Sequence, residues 1–257
     1  MLNVLKIDFY KAFRTVSFWV ISFLNVFSVF FASFTQFSVY LTALDNPSEF
    51  SDYILSNLAK PFFEFFPQFI PQCTFLIGIF AVMFAVSEFS YGTIKNIASK
   101  GYRREFIYVS KFITALVVAI VNILLSFATS FITAKVMIND RMPGFFDINN
   151  FWETVGKNSL QLLAYLSIAI FLAMSFRSLG SSLAIFLAFV FLESSAAALI
   201  NQFLKDVLKL EFNVDPYTIF GAFFDPSQAT RGVIVLLIYI AIATVVGIYT
   251  FKQRDIN

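Results

Sequence analysis

Along the chain, apolar residues gather into six runs with polar stretches between them. They lie at 18–44, 67–87, 106–134, 155–174, 179–200 and 232–251. A helix needs about 20 mostly apolar residues to cross the hydrocarbon core of a bilayer. Each run meets that length, which predicts an all-α integral membrane protein with six transmembrane helices in a single transmembrane domain, residues 1–257. Only Ser175-Phe176-Arg177-Ser178 separates the fourth and fifth runs, which predicts a tight helical hairpin. Neither an internal repeat nor a soluble domain is evident.

The polar stretches carry patterns of their own. In residues 2–16, Leu2, Leu5, Phe9, Phe13 and Val16 recur at three- and four-residue steps, with Lys6, Tyr10 and Arg14 on another face. This predicts a basic amphipathic helix in the headgroup region, or a plain extension of the first span. The apolar run that begins after this basic helix is too long for a cleavable signal peptide and lacks a small-residue cleavage site, so none is expected. Pro47-Ser48-Glu49 opens a candidate short helix carrying Phe50, Ile54 and Leu58, and residues 201–211 read as amphipathic. The run 217–224 is apolar, far too short to span, and bracketed by Asp215-Pro216 and Asp225-Pro226. It is expected to dip back into the membrane as a re-entrant piece, with a surface helix as the alternative.

Composition agrees with a lipid environment. Of the 257 residues, 59% are hydrophobic and 13% charged, too few charges for a soluble surface. The 37 Phe residues suit either an apolar substrate path or a bias in composition. There is no His, which removes Ser-His hydrolysis and His-held zinc or haem, and the lone Cys73 forms no internal disulfide. A net charge of +2 gives no reason to expect nucleic acid.

Loop charge sets orientation. Lys6, Lys11, Arg14, Lys95, Lys100, Arg103, Arg104, Lys111, Arg177, Lys252 and Arg254 fall on one side, more densely than the basic residues of the other. That side, with both chain ends, is read as cytoplasmic.

The candidate functional segment is Glu88-Phe89-Ser90-Tyr91-Gly92-Thr93-Ile94-Lys95, followed by Lys100-Gly101-Tyr102-Arg103-Arg104 and Lys111. On a helix Glu88, Gly92 and Lys95 share a face, and Gly92 admits close approach of another backbone. A structured cytoplasmic bend that docks on a partner fits this pattern, as does an ordinary positively charged loop. Well inside the spans the one ionisable residue is Glu193, with Gln161 and Arg231 at similar depth. It is either a polar feature of a substrate path or gate, or a hydrogen bond between helices.

The order Glu-aromatic-x-x-Gly-Thr, then Arg, then Lys resembles the ABC-2 family of ABC-transporter permeases, at Glu88, Gly92, Thr93, Arg104 and Lys111. The opening Leu5-Lys6-Ile7-Asp8-Phe9-Tyr10-Lys11 and the closing Phe251-Lys252-Gln253-Arg254-Asp255-Ile256 resemble that family's ends. Size and ending are most similar to the membrane subunits of phenol-soluble-modulin and antimicrobial-peptide exporters and to lantibiotic-immunity permeases. The resemblance implies a permease of the bacterial cytoplasmic membrane that exports amphipathic peptides as a dimer with a second copy or paralogue. It makes residues 88–105 a coupling helix, with Glu88, Tyr91, Gly92, Thr93, Lys95, Arg103 and Arg104 engaging a cytoplasmic ATPase. ATP and Mg2+ would be bound by that separate partner, because this chain has no phosphate-binding loop and is not itself an enzyme. Export of lipid-linked glycans or small drugs is the near alternative. An ion-coupled secondary transporter, an intramembrane enzyme or a membrane scaffold are the other classes, and repeats or several midplane charges would favour the first of these.

Overall fold

A computed structural model describes residues 2–46, 62–90, 102–138, 146, 151–210, 212–223 and 226–253. Seven main helices follow in order: α1 (Leu2–Arg14), α2 (Val16–Asp45), α3 (Ile70–Ser90), α4 (Arg104–Ile138), α5 (Phe151–Phe176), α6 (Leu179–Asp206) and α7 (Ala229–Gln253). A helical turn at Phe62–Phe65 and a 3-10 turn at Phe66–Phe69 lead into α3. Among the described residues there is no strand. The six helices α2 to α7 are long and apolar enough to cross a membrane, so the chain is a multi-pass helical membrane protein.

All six predicted runs fall inside these helices, apart from the first residues of the second run, and each helix outlasts its run at one end or both. Backbone hydrogen bonding continues where the side chains turn polar. At about 1.5 Å per residue, the 35 residues of α4 reach roughly 52 Å, well beyond a hydrocarbon core of about 30 Å. The overhang puts Arg104, Glu105 and Lys111 at one end of the bundle and Lys135 at the other.

The helices α3 and α5 are the most enclosed, and α6 is the least. The buried side chains of α3, α4 and α5 form the main core, from Ile77 and Ala81 to Ala115, Leu166 and Ile170. Within it, α2 joins α4 through Asn25, whose amide donates to Ser126 Oγ at 2.8 Å. The Cys73 thiol of α3 lies 3.3 Å from the same hydroxyl. Phenylalanines go to two places. Phe62, Phe66, Phe127, Phe131 and Phe146 interlock at one end of α4, with Phe62 5.5 Å from Phe131 and 5.9 Å from Phe146. Phe23, Phe27 and Phe31 form an outward ladder on α2.

Three local expectations change. The fully buried line of α1 is Val4, Asp8 and Ala12, whereas Val16 is exposed and starts α2. The helix is rotated so that small residues and one carboxylate face the bundle, with Leu5, Phe9 and Phe13 only half-buried alongside. The hairpin between α5 and α6 is tighter than expected, with only Arg177 and Ser178 between the helices and Arg177 at φ 56°. Its left-handed backbone stops α5, a role more often filled by Gly or Asn. Residues 201–206 continue α6 rather than forming a separate amphipathic helix, and Lys209 turns the chain at φ 50°. The candidate helix at 47–58 lies outside the described residues.

Candidate functional site

Two polar assemblies stand out, one at each end of the bundle. The first joins α1, α3 and α4 at the end where α3 finishes and α4 begins. The four-residue step from Asp8 to Ala12 points Asp8 at α4, where Lys111 Nζ lies 2.5 Å from Asp8 Oδ1. The same ammonium lies 2.8 Å from Glu88 Oε2, and Lys11 Nζ lies 3.0 Å from Glu88 Oε1. Ser110 Oγ donates to Asp8 Oδ2 at 2.6 Å, and the Lys111 ammonium also sits 4.8 Å above the Phe84 ring. Asp8 and Lys111 have no exposed side-chain surface, and Glu88 has 3%.

Charges this deep persist only when paired and hydrogen-bonded. Here two carboxylates meet two ammonium groups, so the cluster is neutral as a unit. Burial pushes the Asp8 carboxyl above its ordinary value, while the Lys111 ammonium and the Ser110 hydroxyl pull it down. The arrangement fixes the end of α3 and the start of α4 to α1. A second tie secures the start of α4 to the end of α7. Arg104 Nη1 donates to the Lys252 carbonyl at 2.8 Å, and Lys252 Nζ pairs with Glu105 at 3.0 Å. Arg103 is exposed, with its guanidinium 5.7 Å from the Phe106 ring centre.

Of the candidate coupling residues, Glu88 is therefore turned into the bundle, Arg104 binds α7, and Arg103 faces outward. Tyr91, Gly92, Thr93 and Lys95 lie outside the described residues, as does most of the segment 88–105. The sequence reading placed Asp8, Lys11 and Lys111 in its motifs but did not bring them together. The available signal was a carboxylate recurring with Val4 and Ala12 at a helical step in a helix otherwise free of acids.

The second assembly lies at the opposite end. A Glu193 carboxylate oxygen accepts the backbone N–H groups of Ile219 and Phe220, the latter at 3.3 Å. Its other oxygen accepts the Tyr165 hydroxyl at 2.7 Å. Gln161 donates to the Ile219 carbonyl at 2.9 Å, and Arg231 stacks 5.5 Å from the Tyr217 ring centre. Three polar residues from α5, α6 and α7 thus converge on one short segment. That segment is not an α-helix. After a 3-10 turn at Asp215–Tyr217 it runs through turns to residue 223, because Glu193 takes N–H groups that a helix would direct to its own carbonyls. Close backbone approach makes glycine necessary here: a Cβ on Gly221 would lie 2.2 Å from the Asp215 carbonyl, and one on Gly232 2.2 Å from the Ala222 carbonyl.

Comparison with curated proteins finds no match. One family does match, over residues 19–257, which takes in every membrane-crossing helix and leaves out α1. With that much of the chain matched, the protein belongs to the family described as "Protein of unknown function (DUF2705)".

Proposed function

We propose that the chain is the membrane-spanning permease subunit of an ATP-binding-cassette exporter that moves amphipathic peptides, of toxin or antimicrobial type, out of a bacterial cell. A separate cytoplasmic ATPase binds ATP and Mg2+, and two permease copies or paralogues form the working dimer. Both chain ends and the segment between α3 and α4 face the cytoplasm.

The observation that carries this reading is the buried cluster of Asp8, Glu88, Lys111 and Lys11. It links the three stretches on which the permease resemblance rests: the basic opening, the Glu-aromatic-x-x-Gly-Thr segment and the Lys at the next span. Coupling requires a segment that receives a push to be held rigidly at both ends. Glu88 holds one end to α1 and α4, and Arg104 holds the other to α7. A displacement applied between them is then passed to four helices at once instead of being lost as local bending. In this scheme Glu88 and Arg104 are positioning residues, and Tyr91 to Lys95 with Arg103 meet the ATPase. The overhang of α4 carries the contact clear of the hydrocarbon.

The test is purification of the tagged protein from its native membrane in mild detergent, with mass spectrometry of what accompanies it. A stoichiometric ATPase carrying a glycine-rich phosphate loop supports the reading. Its absence under conditions that preserve comparable complexes overturns it, and transport driven by an ion gradient becomes the next measurement. With the ATPase present, Gly92 replaced by a bulky residue should leave the protein inserted while peptide-stimulated ATP turnover fails.

A further inference from the structure

Beside the charge cluster, between the last turns of α1, Thr15 just ahead of α2, and the end of α3, lies a cavity of about 340 Å³. We propose that it is a binding site for one anionic phospholipid headgroup, a phosphodiester that carries hydroxyl groups. The inference does not depend on the exporter reading, because it needs only a bilayer at the level of α1.

Charge comes first. Lys11 and Lys111 balance Glu88 and Asp8, so the cluster consumes its own charge. Arg14 lines the cavity and pairs with no carboxylate among the described residues, which gives the described part of the site one net positive charge. A phosphodiester supplies one negative charge. Arg14 is also oriented. Its guanidinium lies 4.6 Å from the Tyr10 ring centre, which holds the plane and leaves its N–H edge available for bidentate contact with phosphate oxygens.

The hydroxyls indicate the rest of the headgroup. Thr15 Oγ1 donates to the Ala12 carbonyl at 2.8 Å, and Ser87 Oγ donates to the Phe84 carbonyl at 2.8 Å. Their protons are committed, so toward a ligand in the cavity that Thr15 and Ser87 line each oxygen can serve only as an acceptor. A ligand that complements them brings donors of its own, as a glycerol headgroup does. Phe84 provides an apolar wall on the side toward the bilayer core. The volume falls at the lower end of the range typical of small-molecule sites, about 300–1,000 Å³.

Position fits a lipid. Arg14 is the last residue of α1, and exposed Val16 and Trp19 follow at the start of α2. Exposed Trp beside basic residues marks the level of the headgroups. A phosphodiester at Arg14 would therefore have its acyl chains beside an apolar helix.

The experiment uses the full-length, delipidated protein in neutral detergent, with fluorescent short-chain phosphatidylglycerol as the probe. Short-chain phosphatidylcholine and phosphatidylmethanol serve as competitors, the latter having the same charge without hydroxyls. Phosphatidylglycerol is expected to bind about tenfold tighter than phosphatidylcholine, and Arg14→Gln should remove about that factor, the worth of one charge-assisted contact. Lys6→Gln, an exposed charge on α1, should leave the affinity unchanged. Equal loss in both variants, or equal affinity for phosphatidylcholine, would overturn the site. Phosphatidylmethanol matching phosphatidylglycerol would overturn the hydroxyl assignment. Displacement of the probe by inorganic phosphate at comparable concentration would mean a soluble anion in place of a lipid.

Discussion

Replacing Lys111 with Met tests the charge cluster directly. Met keeps most of the side-chain volume and removes only the ammonium. In the native protein that group serves two carboxylates, 2.5 Å from Asp8 and 2.8 Å from Glu88, none of them with more than 3% exposure. Without it, Glu88 keeps Lys11, which is 35% exposed, and Asp8 is left buried with no ammonium partner among the described residues. Removing one partner of a buried ion pair costs about 3–5 kcal/mol. For a chain of this length each kcal/mol shifts Tm by about 2–4 °C, so the loss is roughly 6–20 °C. Asp8→Asn in the same background restores neutrality, because Lys11 and Glu88 remain as one pair. The double variant should recover a large part of the loss, giving a coupling energy of about 2–3 kcal/mol. Cys73 provides the assay, since it is the one cysteine in the sequence and is buried. A thiol-reactive dye reports its exposure as detergent-solubilised protein is heated. Additive single and double variants would refute the argument that the four charges act as a unit, as would an unchanged Tm for Lys111→Met.

The opposite end gives two further predictions. Gly221→Ala places a methyl 2.2 Å from the Asp215 carbonyl, a backbone atom that cannot swing aside, and should destabilise the segment by about 1–3 kcal/mol. Hydrogen exchange should then quicken at residues 215–223 and stay unchanged in α3 and α4, and unaltered exchange in the segment would refute the close packing. Glu193→Gln keeps an acceptor for Ile219 and Phe220 and should cost about 1 kcal/mol, while Glu193→Ala orphans both N–H groups and should cost clearly more. Equal Tm values for the two variants would contradict that account. Peptide-stimulated turnover unaffected by Glu193→Gln would take Glu193 out of the substrate path and leave it as a clamp.

The spans were legible because their signal is local: length and apolarity decide whether a helix crosses a membrane, and neither depends on distant residues. The ends of α4 and α6 were less so, since polar residues continue a helix once it has left the hydrocarbon. The line of α1 that enters the bundle was not legible, for a physical reason. Large side chains at Leu5, Phe9 and Phe13 gave the stronger periodic signal, yet the line that enters the bundle is Val4, Asp8 and Ala12. Small residues permit the close approach, and the partners that make Asp8 buriable sit 102 and 103 residues away on α4. Pairing at that distance is a tertiary fact. Glu193, Gln161 and Arg231 were found one at a time by their depth, but the segment that gathers them has no periodicity to announce it.

The order of synthesis gives the first helix a particular history. Asp8 leaves the ribosome 103 residues before Lys111. At about 5–20 residues per second, this carboxylate waits roughly 5–20 s for its counterion, while two membrane-crossing helices are inserted in between. For that interval α1 must lie at the bilayer surface with Asp8 still in water, and it can turn its acidic face inward only when the start of α4 arrives. The beginning of the chain thus takes its place only after two spans that follow it in sequence. A bulky fusion ahead of Leu2 that hinders this turn should leave every span inserted and the assembly unlatched.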